Sequence, residues 1–105
     1  MIVGLDVMGG DFAPRATLQG AILASEMLPE QVQIALIGPE TLIREHLALA
    51  NVPVNRFLII DAQEVIEMGE NPTKAFTQKP GSSISLGFQL LKEQKIQAFC
   101  SAGNT

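Results

Sequence analysis

Four short and mostly apolar runs divide this chain: Ile2 to Val7, Val32 to Ile37, Phe57 to Ile60 and Ile96 to Cys100. Each reads as a strand. None shows the apolar–polar alternation of a strand with one wet face, so both faces must be covered. The sequence between the runs is long enough for crossovers and carries helical spacing. Strands joined through helices form right-handed βαβ units in a parallel sheet. The expectation is therefore an α/β fold, with no antiparallel hairpin between consecutive strands.

The connections support this. Met8 to Ala13 is a loop, and Pro14 opens a helix in which Leu18, Ala21, Ile22, Ser25 and Leu28 recur at helical spacing until Pro29. After Gly38-Pro39 a second helix runs to about Ala50, with Leu42, Ile43, Leu47, Leu49 and Ala50 mostly on one side. Asn51 tolerates the left-handed conformation and Pro53 cannot continue a helix, so the helix stops there. Asp61 to Asn71 is polar and irregular apart from Val65, Ile66 and Met68, and Glu64, Glu67 and Glu70 read as a solvated face. Asn71-Pro72 starts a short helix that Pro80-Gly81 breaks. Ser82 or Ser83 caps a further helix with Ile84, Gly87, Phe88 and Leu91 on one face.

Composition narrows the class. Of the 105 residues 47% are apolar and only five are aromatic, all Phe, which suits a sheet packed by aliphatic helices. A net charge of -4 argues against nucleic acid and against a polybasic membrane anchor. The single cysteine, Cys100, excludes an internal disulfide or a multi-Cys zinc site, and its place in an apolar strand predicts a buried, inert thiol. No run approaches the roughly 20 apolar residues of a spanning helix, and Met1 leads directly into a strand without a signal-like segment. A cytoplasmic setting is expected. His46, beside Glu45 on an amphipathic helix, reads as a surface residue, and no cluster has metal-ligand spacing.

Two polar turns carry the chemistry. Asp6-Val7-Met8-Gly9-Gly10-Asp11 follows the first strand, and Ser101-Ala102-Gly103-Asn104-Thr105 follows the fourth. Glycine removes the Cβ that keeps a ligand from the backbone, and turns at strand ends form the ligand crevice of open α/β sheets. The first turn is neither a dinucleotide fingerprint nor a P-loop: it lacks G-x-G-x-x-G and G-K-[ST]. It also reads as a tight connection with Asp11 as a helix cap. The second turn offers hydroxyls, an amide and backbone donors for an anion, and Asn104 or Thr105 serves equally as an N-cap. Lys79, Ser82 and Ser83 lie in a KPGSS loop before a helix, either as a further anion site or as a solvated lysine with a serine cap.

The segments GLDVMGGDFAP, EVIEMGENPTKAF, KPGSSISLGFQLLKE and CSAGNT, in this order and spacing, resemble the PlsX-type acyl-[acyl-carrier-protein]:phosphate acyltransferases of bacterial phospholipid synthesis. The resemblance covers the whole chain; Val7 stands where the family pattern would have Ala. It implies a Rossmann-like α/β/α sandwich related to isocitrate and isopropylmalate dehydrogenases. Residues 1–105 would then be the N-terminal portion of a single larger α/β domain, ending after the SAGNT turn. It implies conversion of acyl-acyl-carrier-protein and inorganic phosphate to acyl phosphate, without cofactor or metal, by a homodimer with peripheral membrane contact. Asn104 is the expected catalytic donor. Gly9, Gly10, Asp11, Ser101, Gly103 and Thr105 are expected to hold phosphate, with Lys79, Ser82 and Ser83 as further candidates, and Asp6 orients the wall. Two rival readings are a β-decarboxylating dehydrogenase relative and an anion-binding domain without catalysis.

Overall fold

The computed structural model describes residues 1–63 and 81–103. The expected helix after Asn71-Pro72, the Glu64, Glu67 and Glu70 face, and the site candidates Lys79, Asn104 and Thr105 lie outside the described residues.

The chain order is β1 (Ile2–Asp6), α1 (Arg15–Met27), β2 (Gln33–Gly38), α2 (Glu40–Leu49), a 3₁₀ turn (Val54–Arg56), β3 (Leu58–Asp61), α3 (Ser83–Lys92) and β4 (Ala98–Cys100). The strands form one sheet in the order β3-β2-β1-β4. Every pairing is parallel, as the helical connections require: Leu5 pairs with Leu36 and with Cys100, and Ile37 pairs with Ile60.

Strand alternation sorts the core into two layers. On one face Ile34 and Leu36 of β2 meet Leu18 and Ala21 of α1 and Ile43 and Leu47 of α2, together with Val7 and Phe57. On the other face Ile37 of β2 packs with Ile96 and Ala62, against Ile2, Ile60 and Phe99 from the sheet and Leu86, Leu90 and Leu91 from α3. This is a Rossmann-like α/β/α arrangement. The reversal of strand order explains it: β1 to β2 to β3 steps one way and β4 lies on the other side of β1, so right-handed crossovers place α3 opposite α1 and α2.

Helix ends follow local chemistry. Asn51 takes φ 58°, with Val52 N–H donating to Leu47 O at 2.9 Å and Asn51 N–H to Ala48 O at 3.1 Å, the expected left-handed stop. Gln94, with φ 62°, ends α3 in the same way, through Lys95 N–H to Leu90 O at 2.9 Å.

Three expectations are corrected. Leu49 is 80% exposed, because the inner face of α2 is fixed by Ile43 and Leu47, and residues two apart on a helix do not share a face; Ala50 is exposed too, as the C-cap residue past the end of α2. The buried face of α3 is rotated from the expected one: Ser83, Ser85 and Gly87 are buried, whereas Phe88 is 47% exposed. Cys100 is exposed rather than buried. Its neighbour Phe99 points to the α3 face, so Cys100 faces the α1 side. There α1 leans on β2, and among the described residues β4 has only β1 beside it.

Candidate functional site

Parallel strands bring the ends of β1 and β4 to the same edge of the sheet. Strand order reverses between these two strands, which is the switch point where open α/β sheets form their ligand crevice. The turns on either side of that crevice are the two glycine turns. Ser82 and Ser83, at the start of α3, stand at the same edge because α3 runs back toward the start of β4.

Asp6, the last residue of β1, holds these parts together. It is only 4% exposed. Its Oδ1 accepts the Met8 N–H at 3.1 Å and the Ser83 hydroxyl, and its Oδ2 accepts the Ser101 hydroxyl at 2.7 Å. A buried carboxylate without such donors would cost several kcal/mol or more, so its satisfaction by three donors is a condition of the fold. The Ser101 oxygen then accepts the Gly103 N–H at 3.0 Å, and Gly103 O accepts the Gly10 N–H at 2.9 Å. Asp6, Ser101, Gly103 and Gly10 thus close the two turns on each other.

Glycine is required at two points of this arrangement. A Cβ on Gly9 would stand 2.8 Å from Asp6 Oδ2 and 2.9 Å from Ser101 Oγ, too close to both partners of their hydrogen bond. Gly10 has φ +93°, and a Cβ there would meet the Ala102 Cβ at 2.9 Å.

Ser82 is the cap of α3: its Oγ accepts the Ser85 N–H at 3.3 Å and bonds to the Ser85 hydroxyl at 3.0 Å. Asp11 is exposed and does not cap α1, whose N-cap position is Pro14 without a side-chain hydrogen bond. The structure therefore brings together Asp6, Gly9, Gly10, Ser82, Ser83, Ser101 and Gly103, and leaves Asp11 at the surface.

One supporting residue escaped the sequence reading. The Thr17 hydroxyl reaches Val7 O at 2.5 Å and Pro14 O at 2.8 Å, pinning the end of β1 to the first turn of α1. The signal was a Thr three residues after a helix-opening Pro, a position from which a hydroxyl bonds back to the chain.

The charged residues of the two turns are Asp6 and Asp11. No group of three or more His, Cys, Asp or Glu among the described residues is placed to hold a metal ion. No helix among them is long and apolar enough to cross a membrane.

The family model described as fatty acid synthesis protein matches residues 1–105. A phosphate acyltransferase of Magnetococcus marinus is 44% identical over 103 residues, covering 98% of this chain and 29% of the relative. Phosphate acyltransferases of Fusobacterium nucleatum and Caldicellulosiruptor bescii are 44% and 42% identical over 105 residues, each covering 100% of this chain and 31% of the relative. The chain thus spans under a third of the length of these relatives, and within that span it belongs to the fatty acid synthesis protein family.

Proposed function

We propose that this chain supplies one wall of the active site of a phosphate acyltransferase, which transfers an acyl group from an acyl-carrier-protein thioester to inorganic phosphate. The observation that carries the reading is the meeting of the two glycine turns at the β1/β4 switch point. The names of the relatives give the reaction class.

Phosphate is already a nucleophile at neutral pH. One of its oxygens attacks the thioester carbonyl, the new C–O bond forms, and the carbonyl electron pair moves onto oxygen. Collapse of this tetrahedral species breaks the C–S bond. The carrier leaves as a thiolate, which takes up the proton released from the phosphate. The products are acyl phosphate and free carrier protein. The work of the protein is to hold phosphate against the carbonyl and to stabilise the oxyanion. Neither Cys100 nor a serine needs to become covalently attached.

The residues divide into two roles. The hydroxyls of Ser83 and Ser101 already donate to Asp6, the Gly10 N–H joins the two turns through Gly103 O, and the Gly103 N–H bonds to Ser101 Oγ within the second turn. These groups form the platform. Asn104 and Thr105, which follow directly, are assigned as donors to phosphate and the oxyanion, with Lys79 as countercharge. Phospholipid synthesis is the setting in which such an acyl phosphate is consumed. With a net charge of -4, this chain is a poor surface for an acidic carrier protein. The carrier contact, the dimer contact and any peripheral membrane contact are placed in the part of the relatives' length outside the match.

The test is product analysis with a full-length phosphate acyltransferase whose first 105 residues are these. Acyl phosphate and free carrier protein should form from acyl-acyl-carrier-protein and phosphate, and the 105-residue chain alone should form none. Reduction of a nicotinamide cofactor with a hydroxy-acid substrate would install the dehydrogenase reading instead. Binding of phosphate without either product would leave an anion-binding domain.

A further inference from the structure

We propose that Asp6 is a positioning residue for phosphate, acting through Ser101 and the turn that follows it; this rests on the phosphate acyltransferase reading above. A carboxylate beside an anion site is at first sight the wrong charge. The geometry resolves the conflict. Asp6 is 4% exposed, and both of its oxygens are occupied by protein donors. Its charge is turned inward and partly neutralised by three hydrogen bonds, so it faces the protein rather than the crevice.

What Asp6 controls is register between segments that are far apart in sequence. Ser83 and Ser101 lie 77 and 95 residues from it, and both spend their hydroxyl proton on its carboxylate. With that proton committed, the Ser101 oxygen presents a lone pair, and Gly103 N–H bonds to it at 3.0 Å. Gly103 is then fixed against Gly10. Asp6 thus fixes the second turn as far as Gly103, the residue before Asn104 in the sequence. Gly9 leaves room for the Asp6–Ser101 bond, since a Cβ would crowd both of its oxygens at 2.8–2.9 Å.

Asp6→Asn tests this by sign. Asn keeps the shape but loses the charge, and offers one acceptor where Asp6 offers two. If Asp6 were a bystander charge near phosphate, its neutralisation would lower the KM for phosphate or leave it unchanged. As a positioning residue, it should raise that KM about tenfold, the equivalent of one charge-assisted hydrogen bond, with kcat within about threefold. Ser101→Ala breaks the same chain at its exposed member and should raise the KM for phosphate by a similar factor. The double variant should be no worse than the worse single, because both remove one link.

The assay is steady-state acyl phosphate formation by the full-length enzyme, with phosphate varied at saturating acyl-acyl-carrier-protein. A fall in kcat with unmoved KM would reduce Asp6 to a fold stabiliser and overturn the proposal. So would additive effects in the double variant, which would make Ser101 a direct ligand independent of Asp6. If Asp6→Asn does not fold, an unchanged KM for phosphate in Ser101→Ala still overturns the proposal. An unmutated enzyme that makes no acyl phosphate refutes the functional reading itself, a result distinct from any of these.

Discussion

Gly87 offers the sharpest test of the packing that supports the site. A Cβ built there would lie 2.1 Å from Phe99 Cε1, 2.3 Å from Cζ and 2.6 Å from Cδ1. Ordinary contact begins near 3.4 Å, so the ring would have to retreat by 3.4 − 2.1 = 1.3 Å. Three ring atoms are too close together, so the ring cannot escape by turning in place. Phe99 is also held edge-on to Phe88 at a centroid distance of 5.4 Å. Overpacking of this kind costs about 1–3 kcal/mol, and the number of atoms involved points to the upper end. Replacing Gly by Ala inside a helix gives back about 1 kcal/mol. Gly87→Ala should therefore destabilise by about 2 kcal/mol.

Gly20 is the matched control. It lies within α1, is exposed, and a Cβ there would find nothing within 4 Å. Gly20→Ala should stabilise by about 0.5–1 kcal/mol. The same chemical change thus has opposite signs at two helix positions. Urea unfolding followed by far-ultraviolet circular dichroism measures both, a suitable probe because the chain has no Trp or Tyr. Phe99→Leu should recover most of the loss in the Gly87→Ala background, by removing the ring atoms that collide. A neutral or stabilising Gly87→Ala, or a double variant no better than the single, would refute the claim that α3 and β4 touch through Gly87 and Phe99. The contact matters for the site because Ser83, one helical turn before Gly87, bonds to Asp6.

In a full-length enzyme carrying these residues, Asn104→Ala should lower turnover by on the order of 100-fold, the scale of losing one preorganised donor, whereas a mere helix cap would lose about 1 kcal/mol of stability with its rate intact. Asn104→Asp keeps a cap but sets a negative charge against phosphate, so it should fold and fail in the same assay; near-normal rates would leave Asn104 a cap only. Cys100 should react with a thiol reagent in the folded 105-residue chain, since it is exposed, and Cys100→Ser should change stability by no more than about 0.5 kcal/mol. Glu93 accepts a hydrogen bond from the Gln89 amide at 2.6 Å and has the Lys95 ammonium at 3.3 Å, which together hold its carboxyl below the ordinary value of 4.5. Its stabilising contribution is present above pH 4.5 and is lost as the pH falls through the lowered value; a carboxyl titration by NMR with a midpoint at or above 4.5 would contradict this.

Most of the fold was readable because its signals are local. The four apolar runs became four parallel strands with ends shifted by one or two residues, and Asn51 stopped its helix as its backbone tolerance implies. Gln94 takes the same left-handed conformation without any such preference, which only the surrounding structure imposes. The face of α3 was misread for a related reason. Ser83 and Ser85 look like solvent-facing residues by composition, yet both are buried. A hydroxyl is cheap to bury once it has a partner, and hydropathy cannot see a partner 77 residues away.

The same limit explains the site. Both glycine turns are legible, because turns and strand ends have local chemistry, whereas an orienting role for Asp6 comes from the resemblance. Their union was not visible. It depends on β4 adding to the β1 edge rather than to β3, a choice that local spacing leaves open and that the sheet order β3-β2-β1-β4 settles. Had β4 paired with β3, Ser101 would end two strands further from β1 than it does, some 10 Å at about 4.8 Å per strand. Asp6 would then be a buried carboxylate lacking one of its donors, and Gly9 would have no contact to spare. The hydrogen bonds that make the two turns one surface are thus consequences of strand order, and the small residues around Asp6 make sense only in that order.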